Sequence, residues 1–447
     1  MRARIQDLWD DALSTFWFVP ALLVIMGAVL ALGMLYADTV WGPEFEQRVP
    51  YLFQGTADAG RSLLAAIAGS LITVVTLAFS VLIVALNQAS TQFTPRVLRN
   101  FMSDRGNQVV LGSYLGAFAY ALLVLRQIRS TAADVPAFVP PLAITGAIAL
   151  TLWCIGLLVY FFHHSARSLQ AETILEEIHQ ALLDATERLY PDELGFPAAA
   201  DHESLPDPPP GAQLEVVRTA RAGYLRRLDV EQILGIAGPP VRLVRVVPQI
   251  GTYLPHGAVL AEVWADPAPS AQEFSSVRNA FILGQEQTIR QDALFGIRQL
   301  VDIAVKALSP GINDPTTAEH ALDRIGNVIG ILAGRAFPRR RRMVPGAATI
   351  FWFERPDFAD FVAAAFGQIR HAARGGVHPT RHLLTVLSAV RARTFTPDRA
   401  AAVRGEVEEA LAGIERAGMT PRERTSIRSA AHAVIGQDRG PGEAAAS

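Results

Sequence analysis

Residues 61–96 read RSLLAAIAGSLITVVTLAFSVLIVALNQASTQFTPR, and no Asp, Glu, Lys or Arg stands between the two terminal arginines. At ~1.5 Å of rise per residue, a helix over those roughly 34 residues would reach roughly 50 Å. A bilayer's hydrocarbon core needs only ~30 Å. Residues 63–86 are apolar enough to cross it. The remainder, with Asn87, Gln88, Ser90, Thr91, Gln92 and Thr94, is polar yet neutral. The stretch predicts one long helix that spans a membrane and continues as an uncharged stem to Thr94, where Pro95 stops it.

Along this helix Thr73, Ser80, Asn87 and Thr94 recur at a spacing of seven, with Thr76, Ile83 and Ser90 as the complementary series. Gly69 and Ala66 extend the pattern upward. Alternating steps of three and four give a 3.5-residue period, the seam of a left-handed helix assembly. Two uses fit such a seam. Hydroxyls can bond back to their own helix while small residues let helices pack closely. Alternatively, the stripe lines a water-filled path at the centre of an oligomer.

Working outward, half of the 447 residues are hydrophobic, only 18% are charged and the mean hydropathy is +0.25, which places the chain among membrane proteins. A net charge of -2, with basic residues scattered, argues against a nucleic-acid partner. The single cysteine, Cys154, lies in an apolar run, so no intrachain disulfide framework exists. Lys306 is the only lysine.

Three further apolar runs accompany the first: 16–36, 109–125 and 139–162. The first is too long and too acidic at its flank for a signal peptide. The third helix carries Gly112 and Gly116 at the small-xxx-small spacing that favours close helix contact. Residues 38–60 read as a polar link. Arg2, Arg4, Arg96, Arg99, Arg105 and Arg167 fall on one side of the membrane, and Arg48, Arg61, Arg126 and Arg129 on the other. That bias puts both termini in the cytoplasm, and Arg96 and Arg99 at the inner mouth of the stem.

The fold class expected is an α-helical integral membrane domain of four transmembrane helices over 1–165, plus a cytosolic α+β domain, mostly helical in its C-terminal half. Residues 166–212 form a helix (168–189) and a proline-rich linker. A small β-rich module comes next over 213–268, with strands at 214–219, 223–228, 241–247 and 259–264 and a short helix at 230–237. From 269 to 437 the pattern is helical, with 286–308 the longest soluble helix and others at 316–333, 356–373, 378–393, 397–418 and up to 435. Residues 339–342 read as an exposed basic loop, and 438–447 as a disordered tail.

In the soluble part the most distinctive run is Ser309-Pro310-Gly311-Ile312-Asn313-Asp314-Pro315-Thr316-Thr317. Pro310 and Gly311 end one helix, Asp314 caps the next and Pro315 fits its first position, giving a tight helical hairpin. Lys306, Asn313 and Asp314 also make a candidate ligand pocket for an anion or carboxylate. His371, His378 and His382 lack a cysteine or a neighbouring acid, so no metal site is assigned. His163 and His164 sit where the fourth helix leaves the membrane. No zinc signature, nucleophile elbow or phosphate-cradling glycine loop occurs, so no cofactor and no catalytic residue are expected. Residues 251–264 resemble the turn-rich half of a biotinyl/lipoyl-type sandwich, without the lysine that carries the cofactor.

The four membrane segments, Thr94-Pro95-Arg96, residues 251–261, Gln291-Asp292-Ala293-Leu294-Phe295-Gly296 and the run 309–318 resemble an uncharacterised bacterial family of predicted membrane proteins. The resemblance implies a bacterial inner membrane and supplies no substrate. Function therefore rests on the seam, which leads to a homo-oligomeric channel or pore for small ions in the lipid bilayer, lined by Thr73, Thr76, Ser80, Ile83, Asn87, Ser90 and Thr94 and not an enzyme. The other reading is a membrane-anchored sensor or scaffold whose cytosolic domain binds a ligand or protein without conduction.

Overall fold

The long apolar runs become four helices: α1 (Phe18–Arg48), α2 (Ala57–Gln92), α3 (Arg105–Gln127) and α4 (Pro141–Ser168). Each carries a span long and apolar enough to cross a membrane, at Phe18–Trp41, Ala57–Val84, Arg105–Gln127 and Pro141–Ser165. The computed structural model describes residues 17–48, 53–92, 104–130, 138–168, 170–190, 204–373, 376–416 and 419–435. It divides into two compact units, 1–174 and 175–447.

In the first unit α3 packs against α1, α2 and α4, and it is the most buried of the four spans. The small residues make this possible. A methyl group at Gly27 of α1 would run into the Gly116 carbonyl, and one at Gly116 would stand 2.6 Å from the Leu23 carbonyl oxygen. The spacing of Gly112 and Gly116 thus does what it predicts, with Gly27 as the facing residue. Tyr120 Oη donates to the Ala143 carbonyl at 2.8 Å and Tyr114 Oη to the Cys154 carbonyl at 2.6 Å, tying α3 to α4.

The polar link expected over 38–60 is shorter than that, since α1 continues to Arg48 and α2 starts at Ala57. Asp38 is no link residue. It is 6% exposed, and its carboxylate accepts from the backbone N–H groups of Leu142 and Ala143 at 2.9 and 2.8 Å. An acid inside a span is tolerated here because it satisfies the orphan donors at the start of α4.

In the second unit, α5 (Ala171–Leu189) buries Leu175, Ile178, Leu182 and Ala185, the apolar side of its amphipathic pattern. Then come β1 (Gln213–Arg218), β2 (Gly223–Leu228), α6 (Val230–Leu234), β3 (Val241–Val246), β4 (Tyr253–Leu254), β5 (Val259–Ala265), α7 (Ala271–Asn279) and β6 (Phe281–Gly284). The chain continues through α8 (Ala293–Ala307), α9 (Pro315–Ala333), β7 (Arg341–Met343) and β8 (Ile350–Phe353). It closes with α10 (Phe358–Ala372), α11 (Val377–Arg391), α12 (Pro397–Arg416) and α13 (Pro421–Ile435).

Two sheets result, a five-stranded one in the order β1-β5-β3-β8-β7 and a three-stranded one in the order β4-β2-β6. The β-region is therefore not confined to 213–268. Strand β8 lies parallel to β3, with Leu243 opposite Ile350 and Val246 opposite Phe353. Phe351 and Phe353 are fully buried in the same apolar cluster as Val244, Val263 and Leu225. Part of the basic stretch 339–342 is not loop, for β7 pairs Arg341 with Trp352 and Met343 with Ile350 at the sheet's edge. A charged edge strand resists pairing with another chain, which suits arginine there.

The helix expected over 286–308 starts later, at Ala293, and strand β6 ends shortly before it. Asp292 supplies the reason. Its side chain caps α8, accepting from Phe295 N–H at 3.0 Å. The longest helix in the second unit is instead α12, of 20 residues.

Candidate functional site

Helix α2 has two unlike faces. Leu64, Ile67, Ala68, Leu71, Val75 and Ala78 are buried in the unit's core. At 100° per residue, the face carrying Ala66, Gly69, Thr73, Thr76, Ser80, Ile83 and Asn87 lies roughly opposite, and it is largely exposed. A methyl group at Gly69 would meet nothing within 4 Å, and Ile83 is 54% exposed. The hydroxyls turn inward on their own helix: Thr73 donates to the Gly69 carbonyl at 2.8 Å, Thr76 to Ile72 at 2.9 Å and Ser80 to Thr76 at 2.9 Å. Thus the seam contributes little to packing within one chain. Ser90 continues the helix, its side chain outside the described set, and Thr94, Arg96 and Arg99 lie outside the described residues.

A knot of polar groups joins the start of α3 to the end of α4. Asp104 accepts from Gly106 N–H at 2.7 Å, capping α3, and stands 2.6 Å from His164 Nε2. The His164 ring stacks on Tyr160 with centroids 5.2 Å apart. Asn107 and Ser165 are buried beside it, 3.5 Å from side chain to side chain, and Gln108 is wholly buried without a side-chain hydrogen bond. His163 is exposed. Of the interfacial histidine pair, only His164 is built into the protein.

The hairpin between α8 and α9 forms as its residues dictate. Asp314 accepts from Thr317 N–H at 3.1 Å and from Thr317 Oγ1 at 2.6 Å, and Pro315 opens the helix. These bonds, with Thr317 Oγ1 first, hold the Asp314 carboxyl below its usual range. Asn313 takes a left-handed φ of 49°, the conformation that asparagine tolerates best after glycine. Its side chain is exposed and Lys306 is half-buried. Asp314 N–H donates to the Ala307 carbonyl at 2.8 Å, so the hairpin sets Asp314 beside the end of α8, the helix that carries Lys306, while the large cavity of this unit is lined by other residues. Among the histidines, His382 finds an acid after all, Asp323 at 2.7 Å, far away in the chain. Among the described residues no group of three or more His, Cys, Asp or Glu gathers to hold a metal ion.

The cavity that sequence reasoning missed has a volume of about 960 Å³. It is walled by separate stretches of chain, chief among them the end of α5, the turn after β3, the segment leading into α8 and the residues from Ala336 to Pro356. Asp292 lines it. Burial pushes this carboxyl up to about 6, only partly countered by its bond from Phe295 N–H. Gly251, at φ +86°, lets the backbone pass Asp292, because a side chain there would collide with Oδ2. Arg355 faces the same space, and burial, reinforced by the like charge of Arg342, brings its guanidinium down to about 10. The rings of Tyr190, Phe337 and Phe361 close one side, with Tyr190 and Phe337 centroids 4.9 Å apart. The family resemblance marks Asp292 only as part of a motif; nothing local announces a cavity.

Comparisons with known proteins point to a membrane protein and add no activity. Two relatives are the "Uncharacterized protein Rv1290c" of Mycobacterium tuberculosis and the "Uncharacterized protein Mb1321c" of Mycobacterium bovis. Each is 32% identical over 439 residues, covering 96% of this chain and 82% of the relative. No solved structure matches. Residues 13–389 match the family described as "Predicted membrane protein (DUF2254)", and the chain belongs to that family.

Proposed function

We propose that the chain assembles as a homo-oligomer in a bacterial inner membrane and that α2 lines a pore for small ions along its axis. The second unit is then a cytosolic regulatory domain and both termini are cytoplasmic; we assign it no catalysis. One observation carries the reading. The face with Thr73, Thr76, Ser80, Ile83 and Asn87 is left largely uncovered by its own chain while the opposite face is packed. Polar groups in a span are costly toward lipid and ordinarily face protein or water.

Within such a pore Ile83 is the one bulky apolar residue among polar or small neighbours. A ring of Ile83 makes a dry neck that ions cannot cross unhydrated. Asn87 and the neutral stem form the inner vestibule, and Arg96 with Arg99 raise the anion concentration at its mouth. Replacing Ile83 by Ser should wet the neck and make the protein leaky, with expression and oligomer size unchanged. Liposomes loaded with a chloride- or potassium-sensitive dye read this directly. A tight Ile83→Ser protein, or an α2 face that crosslinks to lipid and not to a second copy, overturns the pore.

The cavity favours a second reading, a membrane-anchored sensor or scaffold. Ligand binding without any flux in the same liposomes is its signature.

A further inference from the structure

The cavity of the second unit has a one-sided charge pattern, whether or not α2 conducts. Five arginines line it, Arg188, Arg339, Arg341, Arg342 and Arg355, against two carboxylates, Asp292 and Glu354. Glu354 is already engaged, pairing with Arg245 at 3.2 Å and accepting from the Trp352 indole at 3.1 Å. Asp357, a nearby acid along the chain, pairs with Arg340 at 3.7 Å. Arg342 and Arg355 make no ion pair among the described residues, and both guanidinium groups lie over the Phe353 ring, 5.9 and 5.7 Å from its centroid. Two cations are thus held near one ring, partly out of water, with no protein anion between them. Their mutual repulsion and desolvation are relieved by an anion that bridges them, and guanidinium forks match phosphate or carboxylate oxygens in pairs.

The rest of the wall is not built for a simple ion. Leu228, Val230, Val246, Ile250, Leu294 and Pro356 present apolar surface. Asp292 is 6% exposed; its Oδ1 accepts from Phe295 N–H, while its Oδ2 is buried with no hydrogen-bond partner. A buried oxygen of this kind marks a place where a donor belongs. The volume, about 960 Å³, is at the upper end of the range for small-molecule sites, ~300–1,000 Å³, and far beyond what inorganic phosphate would fill.

We propose that this cavity binds an organic anion with phosphoryl or carboxylate groups held by Arg342 and Arg355, an apolar body along the Val230–Ile250–Leu294 wall, and an N–H or O–H donor for Asp292. A nucleotide and a lipid-derived phosphate both carry that anionic and apolar chemistry, and the test separates them.

Full-length protein in nanodiscs of zwitterionic lipid is titrated calorimetrically with ATP, dodecyl phosphate and inorganic phosphate. Saturable binding of ATP or dodecyl phosphate, at least tenfold tighter than inorganic phosphate and weaker at high salt, is the expected result. ATP alone identifies a soluble source; dodecyl phosphate alone identifies a lipid one. The double change Arg342→Gln with Arg355→Gln should weaken binding at least tenfold, and Arg342→Lys, which keeps charge but loses the fork, less. Should the double variant misfold, Arg339→Glu at the exposed rim serves in its place and should weaken binding several-fold. The proposal is overturned if neither organic probe binds, if inorganic phosphate binds as tightly as both, or if binding ignores these substitutions in protein of unchanged oligomer size.

Discussion

Helices α8 and α9 are neighbours in the chain, and both open on an aspartate that caps the third residue's N–H. Locally the two caps are the same device, yet their electrostatics are opposed. Asp314 sits at a half-exposed turn, where hydrogen bonds from Thr317 lower its carboxyl's affinity for a proton. Asp292 is 6% exposed beside a cavity, and burial outweighs its cap bond, pushing it up to about 6. A cap in water stabilises the charged carboxylate; the same cap in a wall is better served by a neutral one. Such a misfit beside a cavity agrees with the binding site proposed above.

The contrast is broken most strongly at Asp292. Its carboxyl goes from an ordinary 3.8 to about 6 on folding. Below ~3.8 it is neutral in both states, and between there and 6 the folded chain keeps a proton that the unfolded chain gives up. Stability therefore falls as pH rises through that window, by about 3 kcal/mol in all. Asp292→Asn keeps the cap oxygen and removes the charge, so it should stabilise the protein by up to about 3 kcal/mol above pH 7 and hardly at all at pH 4. Denaturant melts of the full chain across pH 4–8 check this; a variant with the wild-type slope refutes the account.

Asp314 should behave the other way. Its stabilisation is present above 3.8 and is lost as pH falls through its lowered native value. Asp314→Ala should cost about 1 kcal/mol at pH 7, with Asp314→Asn costing much less. The same melts should show no such loss for Asp314→Ala at low pH, where the wild-type carboxyl is protonated too. If the turn also serves as an anion pocket, binding and not the melt will move when Lys306 is changed.

The smallest effect sharpens the comparison at the residue before the cap. Asn313→Gly at φ 49° removes the side chain that disfavours a left-handed backbone, but loosens the unfolded chain. The net change should stay within about 0.5 kcal/mol, and a larger loss would mean that the Asn313 side chain holds something.

These two aspartates also show how far the chain can be read without its fold. Asp314 is legible because Pro315 marks the first helical residue and Pro310-Gly311 marks the previous helix's end. Asp292 stands among residues with helical charge spacing, Glu286 to Arg290 and Arg298 to Asp302, and nothing stops the eye from running one helix through it. The spans are legible from hydropathy alone, and the Gly112–Gly116 contact from its spacing. Asp38 reads wrongly as a link because its partners, the first amides of α4, lie about a hundred residues on. For the same reason the cavity is invisible in the sequence. Its walls come from stretches that only the folded sheet and helices bring together, and Arg342 and Arg355 look like ordinary surface charge until both are seen to lie over the Phe353 ring.

The parallel pairing of β3 with β8 has a consequence during synthesis. When Val241–Val246 leaves the ribosome, the strand that will cover one of its edges, Ile350–Phe353, is still roughly a hundred residues from being made. At ~5–20 residues per second that is a wait of roughly 5–20 s. Throughout it, a strand of Val, Leu and Arg offers open N–H and C=O groups to any neighbouring nascent chain. A chain terminated before residue 350 never closes that edge, so nonsense and truncation products of this protein should be captured by chaperones or aggregate, however intact their membrane helices.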